Sequence, residues 1–155
     1  MVDLFAAALL ALAIPAPETA FNCRAGSKEI TVTLAGDRLV YSYGVSGKPE
    51  IKLLGDPEGG VAYHRQLYAR AEDQTLRFLN AGWSYVIFNR WQAPPPNQQG
   101  HRRMVPEYNG SGLLIMRGHV IIRRINCNKH SGDMHEWPIF GRLKQDDENL
   151  TPDDA

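Results

Sequence analysis

The side chains best suited to chemistry in this chain are its five histidines, of which His130 and His135 stand five apart with Glu136 adjacent. A helical zinc motif sets two histidines four apart on one face, and Ser131-Gly132-Asp133 between this pair reads instead as a loop. His64, His101 and His119 follow no spacing that would bring them together. For covalent catalysis the one glycine-flanked serine, Ser111 in Asn109-Gly110-Ser111-Gly112, lacks the intervening residues of a strand-to-helix nucleophile elbow and reads as a turn. The acids Glu50, Glu58, Glu72, Asp73 and Glu107 form no pair that marks a glycosidase. We therefore expect no catalytic residue, no cofactor and no metal, and a hydrolase ranks last among the readings.

Binding chemistry is better represented. Aromatic and basic residues interleave along Tyr63-His64-Arg65, Tyr68, Arg70 and Arg77-Phe78, and again at Asn89-Arg90-Trp91. Such a surface suits sugar rings or single-stranded nucleic acid. On strands, the same alternation turns the aromatics into a core and the arginines to solvent. The candidate contact residues are Gly60, Tyr63, Arg65, Trp91, Arg102 and Arg103, lying on or beside two stretches, 55–63 and 92–111, that read as exposed loops. Loops carry recognition on rigid β scaffolds.

The elements that would position them are strands. Glu29-Ile30-Thr31-Val32-Thr33-Leu34 alternates polar and apolar residues, turns at Gly36-Asp37, and is followed by Arg38-Leu39-Val40-Tyr41-Ser42-Tyr43, an antiparallel hairpin. Glu50–Leu54 makes a third strand after the glycines and proline of 44–49. Val61–Arg70 permits strand or helix and leans to strand. Thr75–Leu79 and Trp83–Phe88 flank Asn80-Ala81-Gly82, a three-residue hairpin loop. Pro94-Pro95-Pro96 and the polar run after it predict a long exposed loop over 93–103. Gly112–Met116 and His119–Ile125 close the set around Arg117-Gly118. Seven or eight short strands without a long amphipathic helix predict an all-β fold, a small antiparallel barrel or sandwich.

Size allows one domain. Its expected limits are a signal peptide over 1–20, a β domain over 21–144 and an acidic, disordered tail over 145–155. The apolar run Leu4–Ile14 has the length of a signal-peptide core, followed by Pro15, Pro17 and small residues to Ala20. It is too short to span a membrane. An oxidising destination, periplasmic or secreted, gives the two cysteines a role, because Cys23 and Cys127 would tie the first strand to the last. The 17 basic and 17 acidic residues balance, but five of the acids fall after residue 144 and all the bases before 145, so residues 21–144 carry about +7. Export speaks against a nucleic-acid partner.

The strings Leu39-Val40-Tyr41-Ser42-Tyr43-Gly44, Gly47-Lys48-Pro49-Glu50-Ile51 and Leu76–Phe88, with the closing strand at Cys127, resemble a group of small secreted bacterial β-proteins of unassigned function over about residues 23–127. More distantly, the layout is similar to the periplasmic inhibitors of c-type lysozyme, disulfide-closed β-barrels that insert a Ser-Gly-x-x-Tyr loop into the enzyme's cleft. Here Gly59-Gly60-Val61-Ala62-Tyr63 matches at Gly60 and Tyr63, with Gly59 in the serine position. The resemblance implies a protein partner, a peptidoglycan-cleaving enzyme, blocked by residues around Tyr63. The sequence reading is thus a non-enzymatic exported binding protein, an inhibitor or immunity protein against a cell-wall-degrading enzyme. The alternative is a small-ligand carrier with a cavity inside the barrel.

Overall fold

A computed structural model describes residues 16–93, 108–131 and 134–148. Among them the chain is nearly all β, with eleven strands in two sheets. The first sheet contains β1 (Glu18–Ala25), β2 (Lys28–Ala35), β3 (Arg38–Val45) and β4 (Lys48–Gly55), with the short β10 (Lys129–Ser131) beside β1. The second contains β5 (Val61–Tyr68), β6 (Ala71–Asn80), β7 (Trp83–Gln92), β8 (Tyr108–Arg117) and β9 (Val120–Asn126), with β11 (Lys144–Gln145) beside β5. Each sheet is a meander of antiparallel hairpins, and only β11 runs parallel to its neighbour.

The strands follow from alternation. Ile30 and Val32 of β2 and Leu39, Tyr41 and Tyr43 of β3 point inward, where they meet Leu76 and Phe78 of β6, Ile87 of β7 and Leu113 of β8. Burying these residues between the sheets is the main stabilising term of the fold. Of Val61–Arg70, Val61–Tyr68 becomes strand and Ala69-Arg70 a turn, because β6 pairs along its length and β11 covers Ala62 and Tyr63, burying Val61, Ala62 and Tyr63. Across the β6–β7 turn Asn80 pairs directly with Trp83, so two residues make the turn where three were expected. Ala81 and Gly82 take φ of 48° and 82°, the left-handed pair that suits the twist of a two-residue hairpin.

β7 and β8 are buried on both faces. Val86, Phe88, Leu114 and Met116 form a second apolar cluster with Ile121 on the side away from the first sheet. Their unbroken apolar runs are the sequence mark of doubly covered strands.

Three strands lie outside the sequence reading. β1 begins at Glu18 and takes in Ala20, which is fully buried, so residues assigned to the leader here pair with Leu34 and Thr33. Ser111, read as a turn, lies within β8 opposite Asn89 and is buried. β10 and β11 are too short to leave a periodic trace. Residues 145–148, assigned to a disordered tail, are packed: Gln145 pairs with Tyr63 and Asp146 is buried. Positions 94–107 of the proline-rich loop lie outside the described residues.

Cys23 and Cys127 are bonded, with their Cα atoms 5.6 Å apart. The bond sits where the chain leaves β9 and crosses to the first sheet, and Asn128 N then donates to Arg24 O at 2.7 Å. Beyond β10, single turns of 3-10 helix at Met134–Glu136 and Pro138–Arg142 bury Met134, Ile139 and Phe140 against the core.

Tyr41 offers a test of this interior. Its hydroxyl is fully buried without a hydrogen-bond partner, and its ring stacks on Phe78 at 5.3 Å. Burial, with the neighbouring phenols of Tyr85 and Tyr43 adding to it, holds the Tyr41 pKa far above its ordinary value of 10.0. The unfolded chain therefore releases this proton first, and the stability tied to it is full below pH 10.0 and falls as pH rises toward the folded value. Tyr41→Phe should match or exceed the native chain at pH 7 by up to about 1–2 kcal/mol and show a shallower loss above pH 10, read by denaturant titration at several pH values.

Candidate functional site

Alternate turns of a meander fall at the same end of the sheet. In the second sheet this gathers the β4–β5 connection, the Ala81-Gly82 turn and the Gly118-His119 turn around one groove of about 740 Å³. Lys144–Glu148 forms its wall, and Arg77 lies at its floor.

The β4–β5 connection is fixed locally. Asp56 Oδ1 accepts from the backbone N–H of Glu58 at 2.9 Å and of Gly59 at 3.1 Å, while Asp56 and Gly59 also exchange main-chain bonds. Gly60 takes φ of 77°, and a Cβ there would stand 3.0 Å from Leu54 O, so glycine is required. Its carbonyl accepts from Leu79 N at 3.0 Å, which ties the turn to β6. The result is a rigid projection in which Glu58, Gly59 and Gly60 are exposed.

Arg77 organises the opposite wall. It is only 6 % exposed, in the middle of β6. Its Nε donates to Asp146 Oδ2 at 2.7 Å, one terminal nitrogen donates to Glu148 Oε2 at 2.8 Å, and the other reaches Ser84 Oγ at 3.3 Å. Bonds between a guanidinium and carboxylates are among the strong ones in proteins. His64 Nδ1 donates to Asp146 O at 3.0 Å, and Asp146 N donates to Tyr63 O at 2.9 Å. Beyond this latch, His119 Nδ1 lies 3.1 Å from Glu148 Oε1, but the imidazole is almost wholly in water and the pair is well screened.

With Asp146 and Glu148 committed to Arg77, the charges turned outward are Glu58 and Asp147 against Lys144. Trp83 adds an aromatic face to the rim, covered on one side by the Arg117 guanidinium at 5.6 Å. The groove thus unites a stiff glycine turn, an acidic wall and an aromatic edge on a chain whose residues 21–144 carry a net charge of about +7.

The sequence-predicted contact residues do not converge. Gly60 lines the groove. Tyr63 is placed differently from its expected role at a loop tip: it lies in β5, two residues from inward-facing Val61, is 8 % exposed and packs on Phe140 at 5.2 Å. Arg65, also on β5, binds Glu72 Oε1 at 2.6 Å. Trp91 is half exposed and pairs with Glu72, eight residues along β7 from Trp83. At ~3.3 Å per residue, that is roughly 26 Å from the groove. Trp91 therefore belongs to the opposite end of the sheet, and mid-strand Arg65 is turned toward that end by its bond to Glu72. Arg102 and Arg103 lie outside the described residues, as do His101 and the side chains of His130 and His135.

Arg77 and the carboxylates beside it were missed by the sequence reading. Their signal was a lone arginine inside Thr75-Leu76-Arg77-Phe78-Leu79, since a charge within a strand covered on both faces requires a partner. Among the described residues, no group of three or more His, Cys, Asp or Glu side chains is placed to hold a metal ion, and no helix is long and apolar enough to cross a membrane. No family model matches this chain, and no curated protein or solved structure matches it.

Proposed function

We propose that this protein is a non-enzymatic, exported binding protein that inhibits, or confers immunity to, a cell-wall-degrading enzyme. The observation that carries this reading is the exposed Glu58-Gly59-Gly60 turn standing beside an acidic wall on one groove. A narrow turn held rigid by Asp56 loses little entropy on entering a cleft. Glu58 and Asp147 offer charge complementarity to a basic cleft rim, which the net positive body alone would repel. Export is supported by the Leu4–Ile14 run and by the Cys23–Cys127 bond, which belongs to an oxidising compartment.

The test is a titration of the oxidised protein against two purified peptidoglycan-cleaving enzymes, a c-type lysozyme and a lytic transglycosylase, with cell-wall lysis as the readout. Inhibition of at least one enzyme is expected, and Glu58→Lys with Asp147→Lys should weaken it about tenfold or more while leaving the fold intact. If neither enzyme is slowed, the reading is rejected. Tyr63→Ala is a poor probe of contact, because it removes a core ring.

A second reading draws on the His119–Glu148 contact, a histidine and a carboxylate meeting at a groove, which is the arrangement a hydrolase would use. Lysis by this protein alone, abolished in His119→Ala, would favour it. The carrier reading has less support. Phe21, Tyr41, Phe78 and Phe140 fill the space between the sheets, and the 740 Å³ groove opens at the strand ends.

A further inference from the structure

Lys144–Glu148 is bound to the second sheet in the way an extended peptide binds a receptor. It lies parallel to β5, with Lys144 opposite Ala62 and Gln145 opposite Tyr63; beyond that ladder Asp146 N donates to Tyr63 O, and the His64 side chain donates through Nδ1 to Asp146 O. These bonds engage main chain and accept almost any sequence. Selectivity comes from Arg77, whose fork takes the carboxylates of Asp146 and Glu148, just beyond the two ladder residues, where the Glu148 N–H also donates to Asp146 Oδ1 at 3.2 Å and holds the two acids together. Asp147, between them, is exposed, and so is Gln145 before them, whose side-chain amide lies 3.2 Å from His64 Nδ1.

We propose that the β5 edge and Arg77 form a binding site for an extended acidic peptide, a strand with carboxylates two residues apart, which the chain fills with its own Lys144–Glu148 and which a strand from another protein takes over. The intramolecular hold is small enough to be exchanged. Its sheet ladder spans two residues, and three of the five residues are exposed. Because the same segment walls the groove, its displacement remodels the groove, and the two sites are coupled whatever occupies the groove.

The test uses a fluorescein-labelled peptide with the sequence of Leu143–Glu148, titrated into the full-length oxidised protein and followed by anisotropy. In the native chain the peptide competes with the resident segment. In the isosteric double variant Asp146→Asn, Glu148→Gln the resident segment loses its charged hold, so the peptide should bind about tenfold or more tighter, as the open fraction of the site rises. A control peptide with Asn and Gln at the two acidic positions should lose that gain. Equal affinity for the native and variant proteins, or equal affinity of the acidic and amide peptides for the variant, overturns the proposal. Near-UV circular dichroism of the double variant is compared with that of the native protein, because a misfolded variant would also bind the two peptides equally.

Discussion

Arg77→Met is expected to destabilise the fold by about 3–5 kcal/mol, the usual cost of removing one partner from a buried ion pair. The substitution keeps most of the side chain's length but strands Asp146, whose carboxylate is 7 % exposed, and frees Glu148. Asp146→Asn should cost less, about 1–3 kcal/mol, because the amide still accepts one hydrogen bond and Arg77 keeps Glu148 and Ser84. Urea denaturation of the two variants separates these values. A loss below about 1 kcal/mol for Arg77→Met would mean that water reaches Asp146 once the guanidinium is gone. Hydrogen exchange at Gln145 and Asp146 should accelerate in both variants ahead of the core strands, because the resident segment opens locally.

Removing the cross-link by Cys23→Ala with Cys127→Ala should cost roughly 4–5 kcal/mol, the chain-entropy value for a closed loop of this length. The separation of 104 residues places nearly all the described fold inside the loop. Both positions abut the core, so alanine introduces no buried polar atom. The change should appear as a lower urea midpoint for the alanine pair, reproduced by reducing the native protein. A midpoint within about 1 kcal/mol of the oxidised chain would mean that the denatured state already holds its ends near one another.

The strands between Lys28 and Asn126 were legible, β5 only as a lean toward strand and β8 only from Gly112 onward, where they repeat the two-residue period that a half-buried strand imposes or carry the continuous apolar run of a doubly covered one. β1 was harder to read, because Glu18-Thr19-Ala20 follows directly on a leader-like run and takes its character from that context. β10 and β11 carry no period at two and three residues, and tertiary contact alone creates them. The candidate site was legible at Gly60, where a glycine pair between strands implies a left-handed turn. It was misread at Tyr63. A loop motif was allowed to outrank the alternation of Val61 and Tyr63, which places both side chains on the inward face. The role of Asp146 and Glu148 was hidden because an acidic run after the last long strand has the composition of a solvated tail. Only the lone charge at Arg77 in its apolar strand, more than sixty residues earlier, announces what those carboxylates do.

The placement of β10 and β11 carries a consequence in time. β1 and β5 are made early, yet each has one side covered by residues that follow Cys127. Synthesis must therefore pass Lys129 before β1, and Lys144 before β5, has both of its neighbours. Until then, two hydrogen-bonding edges stand open, and open edges recruit other chains. The residues that follow Cys127 then seal β1 and β5, and the Cys23–Cys127 bond ties the first sheet to the end of β9.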